Sequence, residues 1–134
     1  MNRHKQREYT FRAAFSLDQN PTEVPMEDLD LHIESLGLTE EADIELIENE
    51  VISLFDKCEE IDGMIESASD RWSIDRIAKI ELALLRVAVY DIKYGQVPVQ
   101  VAINEAVELS KKYGEDKSSK FVNGVLGQIA KRLS

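Results

Sequence analysis

This sequence of 134 residues is poor in cysteine, proline, glycine and tryptophan, with one, three, six and one of each. A single cysteine, Cys58, excludes an internal disulfide framework. The uncharged apolar runs are too short to span a bilayer, and residues 1–8 lack the apolar stretch of a secretory signal, so we expect a cytoplasmic protein. With 43% hydrophobic residues, the chain is too apolar for a disordered acidic tail. We therefore expect one compact domain over residues 1–134.

The sequence also lacks the patterns that carry catalysis. It contains no GxxxxGK[ST], GxGxxG, HExxH or CxxC. His4 and His32 are far apart in sequence, and Cys58 falls in an apolar stripe, where a buried inert thiol is expected rather than a nucleophile. Neighbouring acids such as Glu40 and Glu41 are typical of a solvated helix face. We expect no enzyme activity, no cofactor and no metal site, which leaves binding as the function.

Positive charge is scarce and unevenly placed. Sixteen bases against 26 acids give a net charge of -10. Residues 1–17 carry +3, residues 18–70 carry -17 with one base, and residues 71–134 carry +4. A negative total opposes nucleic-acid binding, because phosphates are neutralised by Lys and Arg. The two basic segments can still bind phosphate, while the acidic block either keeps the protein soluble or faces a basic partner.

Helical periodicity runs through the whole chain. It predicts an all-α bundle of six to seven helices in two packed subdomains, roughly residues 9–70 and 71–134. The clearest apolar stripe predicts one long helix from about residue 40 to residue 69, with Thr39 as its N-cap. The stripe repeats at steps of three and four residues: Ile44, Ile47, Val51, Leu54, Cys58, Ile61, Ile65 and Ala68.

Shorter helices are predicted on both sides of this stripe. A basic arm of residues 1–8 leads into a first amphipathic helix, which residues 18–21 end, and a short second helix is closed by Gly37. Ser73 opens a central helix that Gly95 and Pro98 end. Residues 98–112 form the next helix, stopped by Gly114, and the last begins at Ser118 or Ser119. That helix includes two glycines, Gly124 and Gly127, which usually allow a neighbour to come close and cost about 1 kcal/mol each relative to alanine.

Two clusters of bases are the candidates for nucleic-acid binding. The first cluster of basic residues lies at the N-terminus, where arginine can form two hydrogen bonds with a phosphate or stack on an unpaired nucleobase. It comprises Arg3, His4, Lys5, Arg7 and Arg12. The second surrounds the start of the last helix, where backbone N–H groups add to phosphate binding: Lys111, Lys112, Lys117 and Lys120.

Three segments resemble one family. Residues 98–109, PVQVAINEAVEL, and residues 120–126, KFVNGVL, resemble the C-terminal signature of the NusB family of bacterial transcription antitermination factors. Residues 80–91, IELALLRVAVYD, are similar to that family's central helix, whereas residues 18–70 match in helical pattern only. The resemblance implies a non-catalytic protein that binds single-stranded boxA RNA of ribosomal RNA leader transcripts. Its partners would be the ribosomal protein NusE, other Nus factors and RNA polymerase.

The resemblance also implies roles for individual residues. RNA contact is implied for the N-terminal bases and for the segment that starts the last helix: Arg3, His4, Lys5, Arg7, Arg12, Lys117, Ser118 and Lys120. Contact with the protein partner is implied for Arg76, Glu81 and Tyr90. The alternative hypothesis is a helical protein-interaction module whose 44–68 stripe supports a homodimer, without functional RNA contact.

Overall fold

The computed structural model describes residues 1–17, 24–69 and 73–133. These residues form seven α-helices and one 3-10 helix, without any strand, which confirms the all-α prediction. The α-helices are α1 (Arg3–Phe15), α2 (Met26–Ser35), α3 (Glu41–Asp56), α4 (Cys58–Ala68), α5 (Lys79–Lys93), α6 (Val99–Tyr113) and α7 (Ser118–Leu133). None of them is long and apolar enough to cross a membrane.

The chain divides into two compact units, Met1–Lys57 and Cys58–Ser134. The first unit holds α1 to α3, and its core is an aliphatic cluster of Ala13, Leu17, Leu29, Ile33, Ile47 and Val51. In the second unit, α5 packs against α4, α6 and α7. The boundary lies at residue 57 rather than near residue 70, because α4 packs with α5 and α7. The first unit has five bases against fourteen acids, a net charge of -9, and the second has eleven against twelve, a net charge of -1.

The stripe that predicted one long helix belongs to two helices. At Lys57 the backbone turns out of the α-helical conformation, with φ -102° and ψ 7°. The Lys57 N–H donates to the Leu54 carbonyl at 3.2 Å, three residues back instead of four. The apolar step from Leu54 to Cys58 is unaltered across the break, so periodicity conceals it. At the other end of α3, Glu40 rather than Thr39 is the N-cap residue, and it makes no side-chain capping bond.

The start of the central helix also differs from the prediction. A 3-10 helix, Ile74–Arg76, and an extended Ile77 precede α5. The Ser73 side chain makes no capping bond; instead Glu66 on α4 accepts a hydrogen bond from the Ile74 N–H at 3.2 Å. Since Ile74 and Ile77 are both buried, this turn is anchored to the second unit before α5 begins.

The predicted helix ends are confirmed where glycine marks them. Gly37 follows α2 with φ +80°, a left-handed conformation that favours glycine. Gly114 is the C-cap of α6, and α7 runs through both Gly124 and Gly127. A Cβ added at either of these two helical glycines would meet no atom within 4 Å. The close neighbour expected there is therefore not supplied by the described part of the chain.

Candidate nucleic-acid interface

The N-terminal basic segment is helical from Arg3 onward, so most of the predicted arm of residues 1–8 belongs to α1. Asn2 caps α1, because its Oδ1 accepts a hydrogen bond from the backbone N–H of Lys5 at 2.8 Å. This bond satisfies one of the amides that a helix start leaves unpaired. The side chains of Arg3, His4 and Lys5 are exposed. They lie in the first turn of α1, where the helix dipole also favours phosphate.

Arg7 is separated from this exposed group by burial. Its side chain is 5% exposed, and its Nη2 lies 3.0 Å from Glu50 Oε2 on α3. The other carboxylate oxygen of Glu50 accepts a hydrogen bond from Gln6 Nε2 at 3.1 Å. Two consecutive side chains of α1 therefore bind one carboxylate of α3, and Arg7 fixes α1 within the first unit. Arg12, in the last turn of α1, is half-buried.

The sequence contained a sign that Arg7 is buried. Arg7, Phe11 and Ala14 are spaced by four and three residues, so they share one face of a helix. Phe11 and Ala14 are 2% and 5% exposed. The partner, Glu50, gave no such sign: it lies in the acidic block, 43 residues away from Arg7, and local spacing cannot connect the two.

The second basic cluster is split in a similar way at the start of α7. Lys117 and Lys120 are exposed, whereas Ser118 is buried. The Ser118 Oγ accepts a hydrogen bond from the Glu115 N–H at 3.1 Å. A Cβ at Gly114 would lie only 2.7 Å from that oxygen, so a glycine is needed for the chain to pass. Ser118 thus holds the turn that positions the two lysines.

Glu81, the residue implied in protein binding, is a neighbour of this turn. Ser118 is hydrogen-bonded to the Glu81 side chain. Burial raises the pKa of Glu81 above its ordinary value, and the nearby Glu115 raises it further, while the bond with Ser118 opposes the shift. The structure therefore brings together one residue implied in protein binding and one implied in RNA binding.

The other two residues implied in partner binding lie elsewhere in the second unit. Arg76 is exposed on the 3-10 helix. Tyr90 follows Glu81 by nine residues, a rotation of about 180° around the α5 axis. Its ring packs against Tyr94 with 5.7 Å between ring centroids. Glu81 and Tyr90 consequently do not form one patch on α5.

The described residues offer little to redox or metal chemistry. They contain no group of three His, Cys, Asp or Glu side chains that could hold a metal ion. Cys58 is a free, buried thiol, as predicted, and burial raises its pKa to about 11. A thiol in this state is protonated at neutral pH and is a poor nucleophile.

These features define a class of protein: an all-helical binding protein with exposed basic side chains at the N-termini of two helices. The sequence model of the NusB family matches residues 4–131 of this chain. The chain therefore belongs to the NusB family.

The comparisons extend over most of the chain. The transcription antitermination protein NusB of Thermoanaerobacter sp. (strain X514) is 47% identical over 87 residues, which cover 65% of this chain and 62% of that protein. The NusB protein of Agathobacter rectalis is 37% identical over 131 residues, or 97% of this chain and 100% of that protein. A crystal structure of antitermination factors NusB and NusE in complex with double-stranded RNA matches with a TM-score of 0.82 and 30% identity. That match covers 98% of this chain and 99% of that one.

Proposed function

We propose that this protein is a transcription antitermination factor that binds boxA RNA of ribosomal RNA leader transcripts together with the ribosomal protein NusE. Other Nus factors and RNA polymerase complete the assembly. The observation that carries the proposal is the first turn of α1, where Arg3, His4 and Lys5 are exposed at a helix N-terminus. Relatives that share the fold over nearly its whole length include a NusB chain solved with NusE and RNA.

Each unit carries its own proposed RNA-binding site, with residues that contact RNA and a residue that positions them. Arg3, His4, Lys5 and Arg12 on α1, and Lys117 and Lys120 at the start of α7, contact phosphates or bases. Two further residues position the basic side chains, because their own side chains are buried and contact other residues of the protein. Arg7 forms an ion pair with Glu50, and Ser118 forms hydrogen bonds with Glu81 and Glu115.

The proposed site for NusE is centred on Glu81, with Arg76 and Tyr90 at separate positions of the same unit. A ribosomal protein that binds RNA is expected to be basic, and a half-buried carboxylate gives such a partner a specific anchor. Because Glu81 contacts the Ser118 side chain, partner binding at Glu81 and RNA binding at Lys117 would share one turn of the chain.

RNA binding is tested by titrating a fluorescently labelled single-stranded boxA RNA at several salt concentrations. If about four phosphates are neutralised, log affinity falls with log salt with a slope of about -3. Arg3→Ala and Lys5→Ala should each reduce the steepness of that slope by about 0.7. Lys57→Ala is the matched control, since Lys57 is an exposed basic residue of the same unit, outside α1, and its Nζ lies 3.9 Å from Asp56 Oδ2. A flat salt response, or equal binding of scrambled RNA, would contradict the proposal.

The protein partner is tested by repeating the titration in the presence of purified NusE. We expect NusE to tighten RNA binding, and Glu81→Gln to remove most of that gain while leaving binding without NusE intact. Glu59→Gln, at an exposed acid of the first turn of α4, is the control and should keep the gain. An undiminished gain in the Glu81 variant would exclude this carboxylate from the NusE site.

Burial within the single chain argues against the alternative, self-association through the 44–68 stripe. Ile44 is half-buried, and five further aliphatic residues of the stripe are 0–1% exposed: Ile47, Val51, Leu54, Ile61 and Ile65. Light scattering over a range of concentrations should give the mass of a monomer. A dimer that persists on dilution and binds no RNA would favour the alternative over the proposed function.

A further inference from the structure

A groove between α4 and α7 of the second unit has no part in the proposed function. Its volume is about 430 Å³. One wall is formed by Gly63, Met64 and Ser67 of α4, and the other by Ile129, Arg132 and Leu133 of α7. All of these residues lie on helices of the same compact unit.

The shape of the groove suits a helix. On α4, Ser67 follows Met64 by three residues and Gly63 by four. On α7, Arg132 and Leu133 follow Ile129 by three and four residues, so each wall is one face of an α-helix. Two neighbouring helices leave a trough into which a third helix can pack. A Cβ added at Gly63 would meet no atom within 4 Å. Gly63 and Ser67 are small residues one turn apart, and together they allow the backbone of an incoming helix to approach α4 closely.

The apolar residues that line the groove are aliphatic. Met64 is half-buried beside Ile129, and Leu133 at the end of α7 is 41% exposed. Methionine adapts to side chains of different shape, which suits a docking surface. Among the described residues that line the groove there is no aromatic ring. Because unpaired bases are usually held by aromatic stacking, this lining favours aliphatic side chains of a protein over RNA.

The rim of the groove carries an excess of positive charge. Lys93, at one end, is paired with Glu60, which also accepts a hydrogen bond from the Tyr94 hydroxyl. Arg132 Nη1 donates to the Ser67 hydroxyl, a neutral acceptor. The two cations therefore face one carboxylate among the lining residues, and a second carboxylate would complete the charge balance at Arg132.

From this arrangement we propose that the groove binds an amphipathic helix of a partner protein. Apolar side chains of that helix pack between α4 and α7, and a carboxylate of the helix pairs with Arg132. This mode of recognition places anchors at helical spacing in an apolar trough. It does not depend on RNA or NusE binding, because its residues are distinct from Arg3, Lys5 and Glu81.

The test uses a synthetic helical peptide with leucines at positions i, i+4 and i+7 and a glutamate beside them. The full-length protein carries labelled Met and Ile methyl groups, and the peptide is titrated by NMR. We expect saturable shifts of the Met64 and Ile129 methyl signals, with the Ile47 signal of the first unit unchanged. A peptide with lysine in place of the glutamate should bind about tenfold more weakly, and one with serines in place of the leucines should not bind.

Variants of the protein separate the groove from general charge effects. Gly63→Leu fills the trough and should abolish the shifts, while circular dichroism shows an intact helical fold. Arg132→Glu should weaken peptide binding about tenfold, whereas Lys131→Glu, at an exposed neighbouring position of α7, should not. The inference is overturned if neither methyl signal saturates, or if Arg132→Glu and Lys131→Glu behave alike. It is also overturned if RNA or a second copy of the protein occupies the groove instead of the peptide.

Discussion

Replacing Arg7 with methionine separates its structural role from RNA binding. The substitution keeps most of the aliphatic stem but removes the guanidinium that lies 3.0 Å from Glu50 Oε2, while Gln6 Nε2 still donates to Glu50 Oε1. Removing one member of a buried ion pair costs about 3–5 kcal/mol. Because the Glu50 side chain is 21% exposed, water compensates in part. We expect a loss of about 2–3 kcal/mol in the free energy of unfolding.

Urea unfolding followed by helical circular dichroism measures this loss. The single variants Arg7→Met and Glu50→Gln, with the double variant, form a thermodynamic cycle, and we expect a coupling free energy above about 1 kcal/mol. Under conditions where Arg7→Met remains folded, its affinity for boxA RNA should change by less than about twofold. Arg3→Ala should show the reverse, with weaker RNA binding at unchanged stability.

The opposite result for Arg7→Met would refute this reasoning. If the free energy of unfolding stayed within about 0.5 kcal/mol of the unsubstituted protein and RNA affinity fell as far as in Arg3→Ala, then Arg7 would contact RNA directly. The Glu50 pair would then be incidental to the stability of the first unit.

Three further predictions concern the second unit. The folded-state pKa of Glu81 lies above the ordinary 4.5. The stability that this carboxyl contributes is therefore present below pH 4.5 and is lost as the pH rises through the folded-state pKa. Glu81→Gln should raise the melting temperature more at pH 7 than at pH 4, and an equal effect at both pH values would contradict the raised pKa. The pKa of Cys58 is raised from 9.0 to about 11, so this thiol should have about 100-fold less thiolate than an ordinary thiol at neutral pH. We expect it to react rapidly with Ellman's reagent only after unfolding. Rapid reaction of the folded protein would contradict this prediction. Gly114→Ala would place a Cβ 2.7 Å from Ser118 Oγ and should lower the free energy of unfolding by about 1–3 kcal/mol. Gly63→Ala lies in open space and should raise the free energy of unfolding by up to about 1 kcal/mol through helix propensity. Similar urea midpoints for the two variants would show that the turn at Gly114 adjusts freely.

The helical spacing of apolar residues and the glycines at helix ends were sufficient to predict most of the fold. The ends of α2 and α6, and the start of α7 at Ser118, follow from local residue preferences, which act within a few positions of the chain. The break at Lys57 could not be predicted from the stripe, because Leu54 and Cys58 keep their spacing across it. One local sign was present: Glu59 and Glu60 follow the break, where acids suit the first turn of a new helix.

The candidate site was predictable in composition but not in exposure. Arg3 and Lys5 lie on the surface as their charge suggests, whereas Arg7 and Ser118 are buried by partners distant in sequence, Glu50 and Glu81. A long-range pairing of this kind depends on tertiary packing, which no spacing rule for a single helix contains. The groove between α4 and α7 arises in the same way, because its walls are more than 60 residues apart in the chain.

The one-residue break at Lys57 has a consequence for how the protein opens. Units with separate cores can exchange their amide hydrogens through separate openings. Amides of α3 would exchange with the opening of the first unit, and amides of α4 with that of the second, although only Lys57 separates the two helices. Hydrogen exchange should therefore show a step in protection between the central turns of α3 and α4. A destabilising change such as Arg7→Met would speed exchange on the α3 side of that step and leave the α4 side unaltered.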